Sequence, residues 1–191
     1  AQRDSDTNAH NYRVSIYAAR IGEEVDLPDQ TMRTLIKGSF LHDVGKIGIP
    51  DRILRKPGKL DKDEWNIMKT HTTIGANIIG IHNSEIIKTA KVVAATHHER
   101  WDGSGYPAGL GGKEIPLISR IVSMADVFDA LTSKRPYKSE WPLEKALTEI
   151  KKNKGIQFEP AVVDAFLKSI PEILAIKKQY SKVVTVPGKE I

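Results

Sequence analysis

The chain of 191 residues has no cysteine. That excludes disulfides, thiolate metal sites and a cysteine nucleophile, and it suits a reducing compartment. It has no apolar run long enough to cross a bilayer, and its first nine residues, Ala1 to Ala9, are too polar for a secretory leader. A cytoplasmic location is therefore expected. There is no initiator methionine, which is expected of an excised part of a longer protein. The charge is not extreme: 29 Lys and Arg against 24 Asp and Glu give a formal +5. This mild excess favours phosphate-bearing partners weakly and does not call for a groove binding polymeric nucleic acid. The 40% hydrophobic and 28% charged fractions are those of a globular chain of one-domain size.

What the chain does have is histidine next to aspartate. His42-Asp43 is one adjacent pair, His97-His98 another, and His10 and His71 stand well apart from both. The hydrophobic pattern is helical nearly throughout, with no confident strand pair, so an all-α domain is expected. His10, Val14, Tyr17 and Ile21 form a helical stripe that Gly22 is expected to stop. A second helix is expected to start at Pro28 and run into His42-Asp43, keeping Asp43 in line with Met32 and Ile36. Gly45, Gly48 and Pro50 then break the pattern, and 50–60 reads as an irregular connection. Asp61 with Glu64 resembles a capping box ahead of a helix carrying Trp65, Met68, His71 and Ile74. Another helix runs from about Glu85 into His97 and His98. The five glycines between Gly103 and Gly112 require a loop. Further helices are expected over 118–132, over 143–154 and from Pro160. After Pro171 the signal weakens, and the stretch from Lys177 reads as a basic tail or a junction.

The histidines share one property: each continues the apolar stripe of its own helix. Asp126 and Asp129 lie one turn apart, close to the face of Val122 and Ala125. Inward-facing carboxylates need a counter-charge or they protonate, and a metal cation supplies one. Nitrogen and oxygen donors without sulfur suit iron, manganese, cobalt, nickel or zinc, and spacing does not choose among them.

The set His42-Asp43-Val44-Gly45-Lys46, His97-His98 and Gly105-Tyr106-Pro107 resembles the HD-GYP family of metal-dependent phosphohydrolases. The resemblance covers about Asp6 to Phe166. It implies a compact HD-type helical domain, here residues 1–176 with 177–191 as the tail, and a dinuclear metal centre between helices. It also implies hydrolysis of cyclic di-GMP to pGpG, with cleavage on to GMP as an extension, through metal-activated hydroxide. By the same resemblance His10, His42, Asp43 and Asp126 hold one metal, and Asp43 bridges to a second completed by His71, His97 and His98. Iron and manganese come first, with zinc, cobalt and nickel as alternatives.

Lys46 would face the scissile phosphate, its other reading being an exposed lysine at a helix end. Gly105, Tyr106 and Pro107 would shape the ligand pocket, with Gly103 and Gly105 letting backbone approach a ligand. Arg100 and Trp101 could cover a purine, or Trp101 could pack under the loop. Asp129, Arg135 and Lys138 match positions near guanine and phosphate groups, and Arg135 reads equally as a surface ion pair. Asp6 stands where trimetallic members carry glutamate, so it is either a third-metal ligand or a helix N-terminal acid. The family context adds an upstream receiver or sensory domain. Two alternatives stay open: a non-catalytic sensor of cyclic dinucleotides, and a phosphohydrolase of other nucleotides such as cyclic GMP-AMP.

Overall fold

A computed structural model of the chain describes residues 2–133 and 139–181, with side chains from 8 to 179 in those spans. Among the described residues the architecture is all-α, with no strand beyond one isolated bridge between Lys154 and Phe158. The first helix, α1 (Gln2–Glu24), is followed by α2 (Asp29–Ser39) and by a 3-10 segment, η1 (Val44–Gly48). Next come α3 (Asp51–Leu54), α4 (Lys62–Lys69), α5 (His71–Ile79) and α6 (Glu85–Thr96). After the glycine-rich loop and a short 3-10 turn, η2 (Gly112–Glu114), the chain continues as α7 (Leu117–Thr132), α8 (Leu143–Lys152), α9 (Pro160–Lys168) and α10 (Ile170–Ser181).

The long helices α1 and α7 lie side by side at the centre. Val14, Tyr17 and Ile21 of α1 and Ile121, Val122, Ala125 and Phe128 of α7 are fully buried. Tyr17 meets Phe128 edge-on at 5.8 Å, and Phe128 meets Phe166 of α9 at 5.0 Å. On the other side α2 packs on α6, and α6 on α5. The core thus anchors the two helices that will supply His10 and Asp126. No helix among the described residues is long and apolar enough to cross a membrane.

Four expectations need correction. Gly22 does not stop α1, which runs on to Glu24. A Cβ at Gly22 would meet Met32 Cε at 2.8 Å and Leu27 Cδ1 at 3.0 Å, so the glycine makes room for side chains. The helix ends instead at Asp26, which takes a φ of 53°, a conformation that Asp tolerates better than most residues. Second, α2 does not reach Asp43. It ends at Ser39, whose hydroxyl donates to Ile36 O, and the chain tightens into i→i−3 bonds such as His42 N to Ser39 O and Lys46 N to Asp43 O. Third, 50–60 contains the single turn α3. Fourth, residues 170–181 are helical: Pro171 is the second residue of α10, where its missing N–H costs nothing. That helix passes through Lys177, whose ammonium donates to Thr132 O. The capping box of α4 forms as expected, Glu64 N donating to Asp61 Oδ1 and Asp61 N to Glu64 Oε2, each at 2.9 Å.

Candidate metal centre

Five segments bring the histidines and acids together: α1, the turn into η1, the start of α5, the end of α6, and α7. His10, His42 and Asp43 form one group of potential ligand atoms lying within 4.8 Å of one another. Asp43, His71, His97 and His98 form a second, and Asp43 belongs to both. His10 Nε2 lies 3.4 Å and His42 Nε2 3.9 Å from Asp126 Oδ1. His42 Nε2 is 3.4 Å from Asp43 Oδ2, while His71 and His97 Nε2 lie 3.5 and 3.8 Å from Asp43 Oδ1.

The orientation of each ring is set locally. His42 Nδ1 bonds Ser39 O at 2.8 Å, His71 Nδ1 bonds Met68 O at 2.7 Å, and His97 Nδ1 bonds Val93 O at 3.0 Å. With Nδ1 donating to a carbonyl, each ring turns the lone pair of Nε2 inward. His10 follows the same rule with a carboxylate, Nδ1 bonding Asp129 Oδ2 at 2.7 Å.

The atoms facing inward are orphans. His42 Nε2, Asp43 Oδ1, His71 Nε2 and His97 Nε2 are buried without a hydrogen-bond partner among the described residues. Such groups are rare because each forfeits its solvation, so their gathering at one point needs a reason. Their separations exceed a hydrogen bond. They approach the roughly 3–3.5 Å between two donors that each sit about 2.1 Å from one cation. The residues present therefore fit divalent metals bound between the helices.

Electrostatics agree. Burial would raise Asp43, yet Lys46, His42 and His97 hold its carboxyl well below the usual range. Asp126 is likewise held far down, His10 and His42 outweighing burial. Burial lowers His97, helped by His98 and His42, and it takes His98 down to about 4. Burial lowers His71 as well. These three imidazoles are neutral at pH 7, the form that binds a cation. On the other side burial opposes charge, but Asp126 and Asp129 raise His10 to about 9, and Asp43 raises His42. There a cation competes with a proton for Nε2.

Lys46 reaches the centre because η1 is a 3-10 helix. Residues three apart eclipse in that geometry, and its ammonium donates to Asp43 Oδ2 while the side chain stays 38% exposed at the mouth. Two close approaches make this possible. A Cβ on Gly45 would lie 1.9 Å from His71 O and 2.4 Å from Gly75 N, so only glycine lets η1 rest on α5.

The Gly105-Tyr106-Pro107 loop folds over the second group. Tyr106 stacks on His98 with centroids 4.9 Å apart and planes 28° apart, and it meets His71 edge-on at 6.4 Å. Glu99, which the sequence reading passed over, holds this loop: buried beside the histidine pair, it accepts from Ala108 N at 2.8 Å and Leu110 N at 3.0 Å. Gly105 serves the fold, since a Cβ there would lie 2.4 Å from Arg100 N and 2.5 Å from Glu99 Cα. The backbone it admits at that point is the chain's own.

Other expected residues fall in different places. Asp129 is only 1% exposed, and its oxygens are taken by His10, by Arg13 Nε at 2.6 Å and by Ser133 Oγ at 3.2 Å. It stands behind His10, held among the described residues by His10, Arg13 and Ser133. Arg13, also passed over, sits one turn after His10 on α1. Arg100 donates to Ser104 Oγ at 2.9 Å within the loop, and the Arg120 guanidinium of α7 lies over the Trp101 ring at 5.7 Å. Arg135, Lys138 and the side chain of Asp6 lie outside the described residues, as do residues 182–191.

A bundle of helices that turns five imidazoles and two carboxylates onto one buried point defines a metal-binding helical domain. The chain belongs to the HD domain family, whose model matches residues 1–162, and its HDxGK, HH and GYP motifs are those of the HD-GYP branch. It is 49% identical over 177 residues to a cyclic di-GMP phosphodiesterase of Thermotoga maritima, covering 93% of this chain and 48% of that protein. It is 45% identical over 175 residues to the 3′3′-cGAMP-specific phosphodiesterase 2 of Vibrio cholerae, covering 92% of this chain and 34% of the relative. A cyclic di-GMP phosphodiesterase response regulator of Xanthomonas campestris pv. campestris is 44% identical, with 97% of this chain and 49% of the relative covered. The chain thus spans half or less of these relatives' lengths. An HDGYP protein from Bdellovibrio bacteriovorus shares the fold, with a TM-score of 0.69 at 18% identity over 86% of this chain and 52% of that one.

Proposed function

We propose that this domain is a phosphodiesterase that opens cyclic di-GMP to pGpG using two divalent metals. The observation that carries the reading is the ring of orphaned Nε2 atoms around Asp43 with Lys46 at the open side. In this reading His10, His42, Asp43 and Asp126 hold one metal, and Asp43 is shared with a second held by His71, His97 and His98. Asp6 is the candidate for a third. Iron or manganese suits the nitrogen and oxygen donors, with zinc, cobalt and nickel able to take the same ligands. Bound metals of this kind lower the pKa of water and withdraw charge from phosphoryl oxygens.

The chain's own residues supply the rest. Asp43 positions both ligand groups at once, because its two oxygens face different sets of histidines. Asp129 and the carbonyls behind His42, His71 and His97 keep Nε2 pointed inward, so these ligands need not reorganise on binding. Lys46 holds its ammonium where a phosphate would enter, and on substrate binding it exchanges Asp43 for a phosphate oxygen and offsets the charge that builds up in the transition state. Tyr106 closes the wall beside His98 and keeps bulk water from that side.

The named relatives act on cyclic di-GMP and on cyclic GMP-AMP, and this chain is nearly as similar to one as to the other. A second reading, hydrolysis of cyclic GMP-AMP, therefore stands beside the first. The relatives are about two to three times as long and one is a response regulator, which supports an upstream receiver or sensory module controlling this domain.

The test is direct. Manganese-loaded protein is incubated with cyclic di-GMP, cyclic GMP-AMP and mononucleotides, and products are separated by chromatography. pGpG as the first product supports the reading. Tight binding without turnover would mark a sensor instead. Lys46→Ala is expected to keep its metals and lose about 10²-fold or more in kcat, and an unchanged kcat would remove Lys46 from the reaction.

A further inference from the structure

Three tryptophans occur in the chain, and two of them are satisfied. Trp101 carries the Arg120 guanidinium over its ring, and Trp141 carries Lys145 Nζ at 4.3 Å. Trp65 carries no cation among the described residues. It lies on α4, a helix that buries none of its residues, and it is 47% exposed. An indole left half in water forfeits a large part of its burial free energy, so its position calls for a reason.

Its one aromatic neighbour among the described residues shows where it stands. Trp65 meets Tyr106 edge-on at 6.2 Å, and Tyr106 is the ring stacked on His98. The series His98, Tyr106, Trp65 leads from the second ligand group out to solvent. Trp65 is thus the outermost ring of an aromatic wall whose inner end is the metal centre. On the same centre, η1 presents Lys46 at the mouth and leaves Ile47 83% exposed.

We infer that Trp65 is a binding residue for the substrate's base: its open indole face stacks on one purine of the dinucleotide while the phosphate sits at the metals. This inference rests on the proposed phosphodiesterase activity and adds to it the surface that receives the base. Stacking suits that role, because a purine offers an apolar face and an aromatic ring holds it without reading its edge. A flat platform would accept guanine and adenine alike, which matches the presence of relatives named for either kind of dinucleotide.

The experiment compares Trp65→Ala and Trp65→Phe with the parent, all metal-loaded, on two substrates. One is cyclic di-GMP. The other is bis(4-nitrophenyl) phosphate, a phosphodiester without a purine. Loss of one base stack is worth about tenfold or more in affinity. Trp65→Ala is expected to raise KM for cyclic di-GMP by about that factor, with kcat within about threefold. Trp65→Phe should recover most of the loss, and metal affinity, measured by titration, should not change. In parallel, pGpG should quench tryptophan fluorescence in the parent and much less in Trp65→Phe. An unchanged KM overturns the inference, and so does a fall in kcat or metal affinity in place of the rise in KM, which would make Trp65 a structural support for Tyr106. If the parent cleaves bis(4-nitrophenyl) phosphate but no cyclic dinucleotide, the phosphodiesterase reading itself fails, and the base-stacking role fails with it.

Discussion

Replacing Gly45 with alanine tests how the two ligand groups come to share Asp43. The added Cβ would sit 1.9 Å from His71 O, where ordinary contact begins near 3.4 Å. The turn and α5 must therefore part by about 1.5 Å, since the obstacles, His71 O and Gly75 N, are backbone and cannot rotate away. Overpacking of this kind costs up to about 3 kcal/mol. For a chain of this size that is a fall of about 6–12 °C in Tm. The same displacement moves Asp43 away from His71, now 3.5 Å apart, so metal affinity should fall about 10–100-fold, as when a supporting contact of a metal ligand is lost. Thermal melting with and without manganese, together with metal titration, measures both. Gly155→Ala is the control: its φ is 77° and nothing lies within 4 Å of a new Cβ, so only about 1–2 kcal/mol of backbone strain is expected, with metal binding intact. A Gly45→Ala protein that melts within about 2 °C of the parent and binds metal as well would refute the close-approach argument.

The other predictions follow from charge and hydrogen bonding. Asp43→Ala should remove the shared ligand and empty both metal groups, and elemental analysis showing retained metal would contradict its place between them. Glu99→Gln keeps shape but weakens the two charge-assisted bonds to Ala108 N and Leu110 N, so a loss of about 1–3 kcal/mol is expected in chemical denaturation, and an unchanged midpoint counts against it. In chelator, stability should peak near pH 6.5. His98, depressed to about 4 by burial, contributes fully above pH 6.5 and loses that contribution as pH falls through about 4. His10 has burial against its charge but is raised to about 9 by Asp126 and Asp129, so its contribution is full below 6.5 and is lost as pH rises through about 9. Each flank is worth on the order of 2–3 kcal/mol, and a Tm that does not vary between pH 4 and 9 would refute the assignment.

The helices with long apolar stripes were legible in the sequence, and so was the place of His10 on α1. A stripe is a local signal: a side chain three or four residues from the next apolar one shares its face whatever the rest of the chain does. The helix expected to carry Trp65, Met68, His71 and Ile74 instead breaks at Thr70, so His71 opens α5, and His97 and His98 lie just past the last residue of α6. The 3-10 turn at His42-Asp43 was not legible, because it depends on contact with α5, which follows it by more than twenty residues. Asp126 and Asp129 differ by only about 60° around α7. Sequence placed both toward the site, whereas packing turned one to the centre and the other to Arg13. Glu99 could have been singled out as an acid adjoining two buried histidines ahead of a loop, but its partners are backbone amides, which leave no mark in residue identity. Pro171 reads as a break until the register of α10 shows it in the first turn, where proline is welcome.

The five segments that meet at Asp43 are drawn from positions 10 to 126, most of the folded length. A cation seated there would act as a rivet, fastening stretches of polypeptide that otherwise touch only their nearest neighbours in the bundle. Metallation should therefore be visible far from the chemistry, as slower amide exchange along α1, α5, α6 and α7 together rather than at the ligands alone.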